Sequence, residues 1–216
     1  MLPNNLEPVD VRVIGSLIEK ELSTPDHYPL SLNALTSACN QSSNRDPVMA
    51  LEEGAVMQAI DTLRRQGLVR SIQAIGSRVP KYQHLLAEAG EFSRAELAVL
   101  CVLALRGPQT QAEVRTRASR LMPGDDATGI DAALEGLIAH EPQPVVARLP
   151  RRPGQKESRY AHLLAGDVTE QVDDAPNAPP APSTDRIAAL EELAHELSRE
   201  VADLRTQLAS FRKQFE

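Results

Sequence analysis

Aromatic residues are scarce in this chain of 216 residues: they make up 3% of it, and tryptophan is absent. Apolar residues still reach 42%, so we expect a core of leucine, isoleucine, valine and alanine. The longest apolar run, LAVLCVLAL at Leu97–Leu105, is far shorter than the ~20 residues that a membrane-spanning helix needs. We therefore predict a buried helix there and no membrane insertion. The N-terminus also lacks the basic and hydrophobic regions of a secretory signal.

Cysteine is almost absent as well. Cys39 and Cys101 are the two cysteines, and each lies among apolar neighbours. We expect two core thiols in a cytoplasmic protein, with a disulfide or a reactive thiol as the alternative. Phosphate-binding glycine loops and paired-cysteine motifs are missing, and the five histidines show no metal-ligand spacing. We therefore expect no enzymatic activity, no cofactor and no metal.

Positive charge is in short supply, and its distribution is uneven. The net charge is −7, of which residues 1–90 contribute −2, residues 91–165 contribute +1 and residues 166–216 contribute −6. An acidic chain repels phosphate, so any contact with nucleic acid depends on a local basic patch.

One hexapeptide occurs twice. Residues 81–86 are KYQHLL and residues 159–164 are RYAHLL. Before each copy, apolar periodicity predicts three helices, at roughly 8–22, 30–39 and 52–66 and then at 93–106, 110–121 and 128–140. Short β-rich runs around a glycine turn then predict a hairpin that ends in the hexapeptide.

Several residues set the boundaries of these predicted elements. Ser93 with Glu96, and Thr110 with Glu113, have the spacing of capping boxes. Gly67 follows the third helix where a C-terminal glycine stop is expected. Strand alternation places each tyrosine and histidine of the hexapeptides on one sheet face, where we expect packing or hydrogen bonding rather than ligand binding.

Three helices followed by a hairpin is the element order of a winged-helix domain. The sequence therefore predicts a mainly α fold with small β-hairpins. Its expected parts are winged-helix domains at 1–90 and 91–165, a Pro-rich acidic linker at 166–184 and a coiled-coil helix at 185–216.

Five segments make a family resemblance specific. They are TPDHYPLSLNAL (24–35), ACNQSSNRDPVM (38–49), SRVPKYQ (77–83), LRGPQTQAEVRTRASRL (105–121) and PGQKESRYAHL (153–163). In this order they resemble the YceH-like family of bacterial proteins over roughly residues 6–165. The resemblance implies two winged-helix domains, but it implies no reaction, ligand or catalytic residue.

The loop between the second and third helices is one candidate binding site. It contains Asn40, Gln41, Asn44, Arg45 and Asp46, which match the family's most distinctive stretch. One interpretation is an ordered loop held by Asn40, Asn44 and Arg45. Asn, Ser and Asp, which are frequent in this loop, form turns through bonds from the side chain to the backbone. The other interpretation is a recognition loop for a protein or nucleic-acid partner.

The second wing is the candidate phosphate-binding site. Arg148, Arg151, Arg152, Lys156 and Arg159 cluster within twelve residues, and Arg115, Arg117 and Arg120 precede them. Such a patch can meet phosphates, or it can be a solvated hairpin whose arginines pair with nearby acids. The third helices do not suit base reading, because one opens with Glu52 and Glu53 and the other lacks Lys and Arg.

The C-terminal segment carries a heptad pattern that predicts self-association. Its apolar seam includes the residues Ile187, Leu190, Leu197, Val201, Leu204 and Leu208. Branched residues at a with leucine at d favour a parallel dimer; the alternative is one amphipathic helix that folds back on the chain. Together these patterns predict a non-enzymatic binding module, foremost a protein-interaction scaffold. The alternative is a DNA-binding regulator that contacts phosphates through the second wing.

Overall fold

The computed structural model describes residues 2, 5–73, 79–122, 129–151 and 155–166. Within these ranges the protein has mixed α and β structure, with seven α-helices and two small antiparallel sheets. The predicted combination of helices with small antiparallel β structure is therefore confirmed, and the assignment of two winged-helix domains stays a prediction. The heptad residues lie outside the described residues.

The same order of elements occurs twice. The first repeat contains helix α1 (Pro8–Ser23), strand β1 (Leu30–Ser31), helix α2 (Leu32–Cys39), helix α3 (Glu53–Arg65) and strands β2 (Val69–Ile72) and β3 (Lys81–His84). A short helix, α4 (Leu86–Gly90), follows. The second repeat contains helix α5 (Arg94–Arg106), strand β4 (Gln109–Thr110), helix α6 (Gln111–Ala118), helix α7 (Ile130–Ile138) and strands β5 (Val146–Arg148) and β6 (Arg159–His162).

The two sheets have equivalent topology. Their strand orders are β1-β3-β2 and β4-β6-β5, and all pairs are antiparallel. The hexapeptides supply the central strands: Tyr82 pairs with Leu30, and Tyr160 pairs with Gln109. Each central tyrosine is buried. The duplicated hexapeptide thus marks the same structural position in both repeats.

Local sequence explains the helix ends. Both predicted capping boxes are present: Ser93 accepts a hydrogen bond from the Glu96 N–H at 3.3 Å, and Thr110 accepts one from the Glu113 N–H at 3.3 Å. Each glutamate side chain also accepts from the backbone N–H of its capping residue, which satisfies a second donor. Gly67 follows α3 with a φ of +73°, a conformation that favours glycine.

The two repeats share one core and belong to one compact unit. Helix α5 buries all of Leu97–Leu105, as the apolar run predicts. Gly15 of α1 makes the close approach between repeats possible, because a Cβ there would lie 3.0 Å from the Leu105 Cδ2 atom. The Cys101 thiol donates to the Gly15 carbonyl at 3.5 Å. Helices α1 and α5 therefore pack backbone against side chain at the centre of the unit.

Candidate binding surfaces

A buried ion pair anchors the loop between α2 and α3. The Arg45 guanidinium donates to both carboxylate oxygens of Glu19 on α1, at 3.0 Å and 2.6 Å. It also donates to the Ala38 carbonyl, the Asn44 carbonyl and the side-chain oxygen of Gln41. Arg45 is 6% exposed. Its charge is therefore used inside the protein.

A second buried arginine supports the same loop. The Arg12 guanidinium, on α1, donates to the Cys39 carbonyl at 3.1 Å and to the Pro47 carbonyl at 2.6 Å. Arg12 is 2% exposed. Its burial is the main cause that lowers its pKa, and the nearby charge of Arg45 is the second. These two bonds fix both ends of the segment that precedes Val48.

The asparagines of the loop also bond within the protein. Asn40 donates from its side chain to the Leu51 carbonyl at 2.8 Å and accepts from the Leu51 N–H at 2.7 Å. Asn44 has a φ of +59° and accepts from Arg106 on α5. The ordered-loop interpretation of Asn40, Asn44 and Arg45 is thus observed. A partner-binding role for Asn40, Gln41, Asn44, Arg45 and Asp46 stays a prediction.

The loop also joins the two repeats and presents an apolar side chain outward. The Asp46 N–H donates to the Leu105 carbonyl at the end of α5, at 2.9 Å. The next residues, Pro47 and Val48, are exposed, and Val48 reaches 58% exposure. Among large hydrophobic residues of the described ranges, Val48 and Val79 are the exposed ones. A rigid, polar-anchored loop thus displays an apolar tip.

The second hairpin, β5–β6 and its connection, forms one side of a depression of about 390 Å³. Three of the five predicted phosphate-binding residues line it: Arg148, Arg151 and Lys156. Arg159 instead donates to the Pro108 carbonyl at 2.9 Å, and Arg152 lies outside the described residues. Helix α6 adds Arg115 to the lining. The structure therefore brings together cations that the sequence separates by more than thirty positions.

The charges around this depression are only partly neutralised. Arg115 forms an ion pair with Asp131 on α7. Hydrogen bonds from Gln111, which is the larger cause, and from Arg115 lower the pKa of Asp131. Arg151 donates to the Lys156 carbonyl at 3.5 Å. Within the described part of the chain, neither Arg148 nor Lys156 forms an ion pair.

A second depression, of about 560 Å³, lies in the first repeat beside the end of α3. Its arginines are occupied. Arg64 pairs with Asp61 at 3.4 Å, and Arg65 donates to the Thr62 hydroxyl. Arg70 faces the side-chain amide of Gln83, and we assign the amide oxygen to the side of the guanidinium because a cation needs an acceptor there. Asp61 is the one acid among the described residues of the lining, and Thr62 and Gln83 are neutral, so this surface also keeps positive charge, although its arginines are held by hydrogen bonds.

The third helix of each repeat presents few cations at its exposed positions. On α3 the exposed residues begin with Glu53 and Gly54, and Arg64 and Arg65 come in the last turn. Helix α7 exposes Ala132 and Glu135 and has no lysine or arginine. A helix that reads bases meets a polyanion with its N-terminal half, so neither helix suits that role.

The duplicated histidines have different environments. His84 accepts the Leu86 N–H at Nδ1 at 3.2 Å, so its proton is on Nε2, which faces the Glu21 carboxylate. The hydrogen bond with His84 is the main cause that lowers the pKa of Glu21. His162 has no partner for Nδ1 among the described residues, and burial lowers its pKa to about 4. His84 is therefore held by contacts within the first repeat, whereas the main influence on His162 is its burial.

Sequence reasoning missed Arg12 and Glu19. Both are charged residues inside a helix that predicts an apolar stripe, and they lie seven positions apart on the same face of α1. A charge inside such a stripe is a signal of a buried ion pair, because Arg and Glu are almost never buried without a partner. The sequence gives no local sign of the partner, since Arg45 is in another element.

Three further observations concern other kinds of site. No helix among the described residues is long and apolar enough to cross a membrane. In the same ranges, no three His, Cys, Asp or Glu side chains are grouped as metal ligands. Both cysteines are free and buried, and burial raises the pKa of each thiol.

Comparison with known proteins identifies the family. A family profile described as "Protein of unknown function, DUF480" matches residues 6–155. The chain belongs to this family, which confirms the predicted resemblance. A UPF0502 protein of Geobacter sulfurreducens is 52% identical over 98% of both chains. UPF0502 proteins of Pelobacter propionicus and Aeromonas hydrophila are 49% and 48% identical, over 100% and 94% of this chain and 99% and 96% of their own lengths.

Proposed function

We propose that the two repeats are tandem winged-helix domains and that the protein is a non-enzymatic module that binds a protein partner. The order of elements in each repeat and the matching sheet topologies support the winged-helix assignment. The acidic start of α3 and the lack of lysine and arginine in α7 argue against insertion of either helix into the DNA major groove. Another surface must then carry the binding function.

The loop between α2 and α3 is the surface that carries this proposal. Burying ions costs free energy unless they are paired and hydrogen-bonded, and the protein buries Arg12, Glu19 and Arg45 together beneath this one loop. The result is a fixed backbone that exposes Pro47 and Val48. Preorganisation of this kind lowers the entropy lost when a partner binds. Val48 is the proposed contact residue.

The free thiols of Cys39 and Cys101 support a reducing, cytoplasmic location for this module. The C-terminal heptads predict that two copies associate through residues 187–208, which would pair two such binding loops in one assembly. Self-association through this segment is part of the proposal.

Affinity capture from native lysate with the full-length protein as bait tests the proposal. Val48→Asp removes the apolar tip, and Val79→Asp is a matched control because Val79 is 55% exposed. We expect proteins that remain bound after nuclease treatment, that are lost with the Val48 variant and that are retained with the Val79 variant. If nuclease releases every captured protein, or if both variants capture the same set as the wild type, the proposal is wrong.

A further inference from the structure

The depression beside the second hairpin combines four cationic side chains from three elements. Arg115 comes from α6, Arg148 from β5, and Arg151 and Lys156 from the β5–β6 connection. Among the described residues, Asp131 pairs with Arg115, and Glu157 is the acid in the lining. Positive charge therefore remains in excess here, although the whole chain carries −7.

Helix α6 extends this positive charge around the second repeat. Arg117, two positions after Arg115, donates to Glu113 at 3.3 Å and to Gln109. Arg120 follows in a 3₁₀ turn and is exposed, without an ion pair in the described ranges. Burial is the largest cause that lowers the pKa of Arg106 at the end of α5, and the like charge of Arg117 is the second.

The chemistry of this surface favours the phosphate backbone of a duplex. Stacking of single-stranded bases needs exposed aromatic rings, and Tyr160, the aromatic residue of the depression, is 5% exposed. Direct base reading needs side chains that enter a groove, and α7 offers no cation for that purpose. What remains is a group of guanidinium and ammonium side chains around one depression, which can meet backbone phosphates.

We propose that helix α6 and the second hairpin bind the backbone of duplex DNA without sequence preference, with Arg115, Arg148, Arg151 and Lys156 as the phosphate contacts. In this arrangement the second helix of the repeat lies along the DNA, and the third helix stays outside the groove. The contact residues of this surface and of the Val48 loop do not overlap, so different variants test the protein-binding proposal and this one.

Fluorescence anisotropy with a labelled duplex of about 20 base pairs, measured over a salt series, tests the inference. The full-length variant Arg148→Glu with Lys156→Glu removes two cations that form no ion pair with any residue of the described ranges. The control, Arg64→Glu with Lys81→Glu, changes the net charge equally on exposed residues of the first repeat. Because all four residues are exposed, both variants are expected to fold, and circular dichroism checks this.

We expect the wild-type protein to bind several unrelated duplexes with similar affinity. The hairpin variant should lose about tenfold or more in affinity, and its slope of log K against log salt should fall by about two. The control variant should keep the wild-type slope.

Three results would overturn the inference. The first is a wild-type protein that does not bind duplex DNA at low salt. The second is an equal loss of affinity in the hairpin and control variants, which would reflect net charge alone. The third is polyglutamate of matched charge that binds as tightly as DNA and depends equally on Arg148 and Lys156, because the ligand would then be an acidic polypeptide.

Discussion

Glu19 is the single anion among the buried charged groups that hold the loop between α2 and α3 to helix α1. Its two oxygens take the Arg45 guanidinium in a two-point contact, and Arg12 lies on the same helix with only carbonyl acceptors. Removal of Glu19 leaves Arg45 buried without its carboxylate partner, whereas Arg12 keeps the nearby Asp46 charge. Removal of one partner of a buried ion pair destabilises a protein by more than the intact pair stabilises it, because the other charge stays buried without a partner.

Glu19→Ala should therefore lower the free energy of unfolding by about 3–5 kcal/mol. Urea denaturation at neutral pH measures this. Lys81→Ala, on an exposed strand position, is the control and should change stability by about 0.5 kcal/mol or less. Glu19→Leu combined with Arg45→Met should recover much of the loss, because the double change removes both charges. A Glu19→Ala protein as stable as the control variant would contradict this account.

His162 predicts a pH dependence of stability. Its folded-state pKa of about 4 lies below the unfolded value of 6.5, so the unfolded state binds the proton more readily between these values. The stabilising contribution of the neutral ring is complete above pH 6.5 and is lost progressively as the pH falls to about 4, by at most about 3 kcal/mol. Urea midpoints at pH 7 and pH 5 measure the effect.

The variant His162→Gln isolates this contribution. It should remove the part of the pH dependence that lies between pH 6.5 and 4. Glu21, whose pKa is lowered, loses its contribution only below its usual pKa of 4.5, so its window lies at more acidic pH. Equal pH dependence in the variant and the wild type would show that His162 does not remain neutral in the folded protein.

Helix α5 belongs to the second repeat and also packs against α1 of the first repeat. All of its residues from Leu97 to Leu105 are buried, and Leu100 is fully enclosed. Leu100→Ala should destabilise the protein by roughly 2–5 kcal/mol, the usual loss for a buried leucine. Because the core is continuous across the repeats, we expect a single unfolding transition with a lower midpoint. A second transition, or an unchanged midpoint, would mean that the repeats unfold separately or that Leu100 is not part of the core.

Sequence patterns predict most of the helices but not the shortest strands. Apolar periodicity and caps place α1, α3, α5 and α7 within about two residues of their observed bounds. Strands β1 and β4 have two residues each, and both lie where the periodicity predicts the start of a helix. Their pairing with β3 and β6 is a contact between distant parts of the chain, which local patterns do not encode.

The two candidate sites could also be predicted from the sequence only in part. The sequence identifies the loop and the second hairpin, because unusual composition marks both. It does not show that Arg45 is directed inward to Glu19, nor that Arg115 lies beside Arg148, since each depends on how separate elements pack. A cluster of charged residues in a sequence therefore predicts a charged surface, but only the structure shows which of those charges are paired inside the protein.

For the whole molecule, the heptad seam predicts an oligomer. An isolated helix of this length is marginal in water, so its apolar stripe needs a partner. Leu197→Glu with Leu204→Glu places charges at two d positions and should convert the protein to a monomer. Multi-angle light scattering over a concentration series measures the mass. A wild-type protein that is monomeric at tens of micromolar would contradict self-association.

The central claim is that the anchored loop presents Val48 to a protein partner. The most direct measurement is site-specific photo-crosslinking in cells, with a photoreactive amino acid at position 48 or, as the control, at position 79 of the full-length protein. The account predicts a discrete protein adduct from position 48 that is absent from position 79 and resistant to nuclease. No adduct at position 48, or the same adduct from both positions, would contradict it.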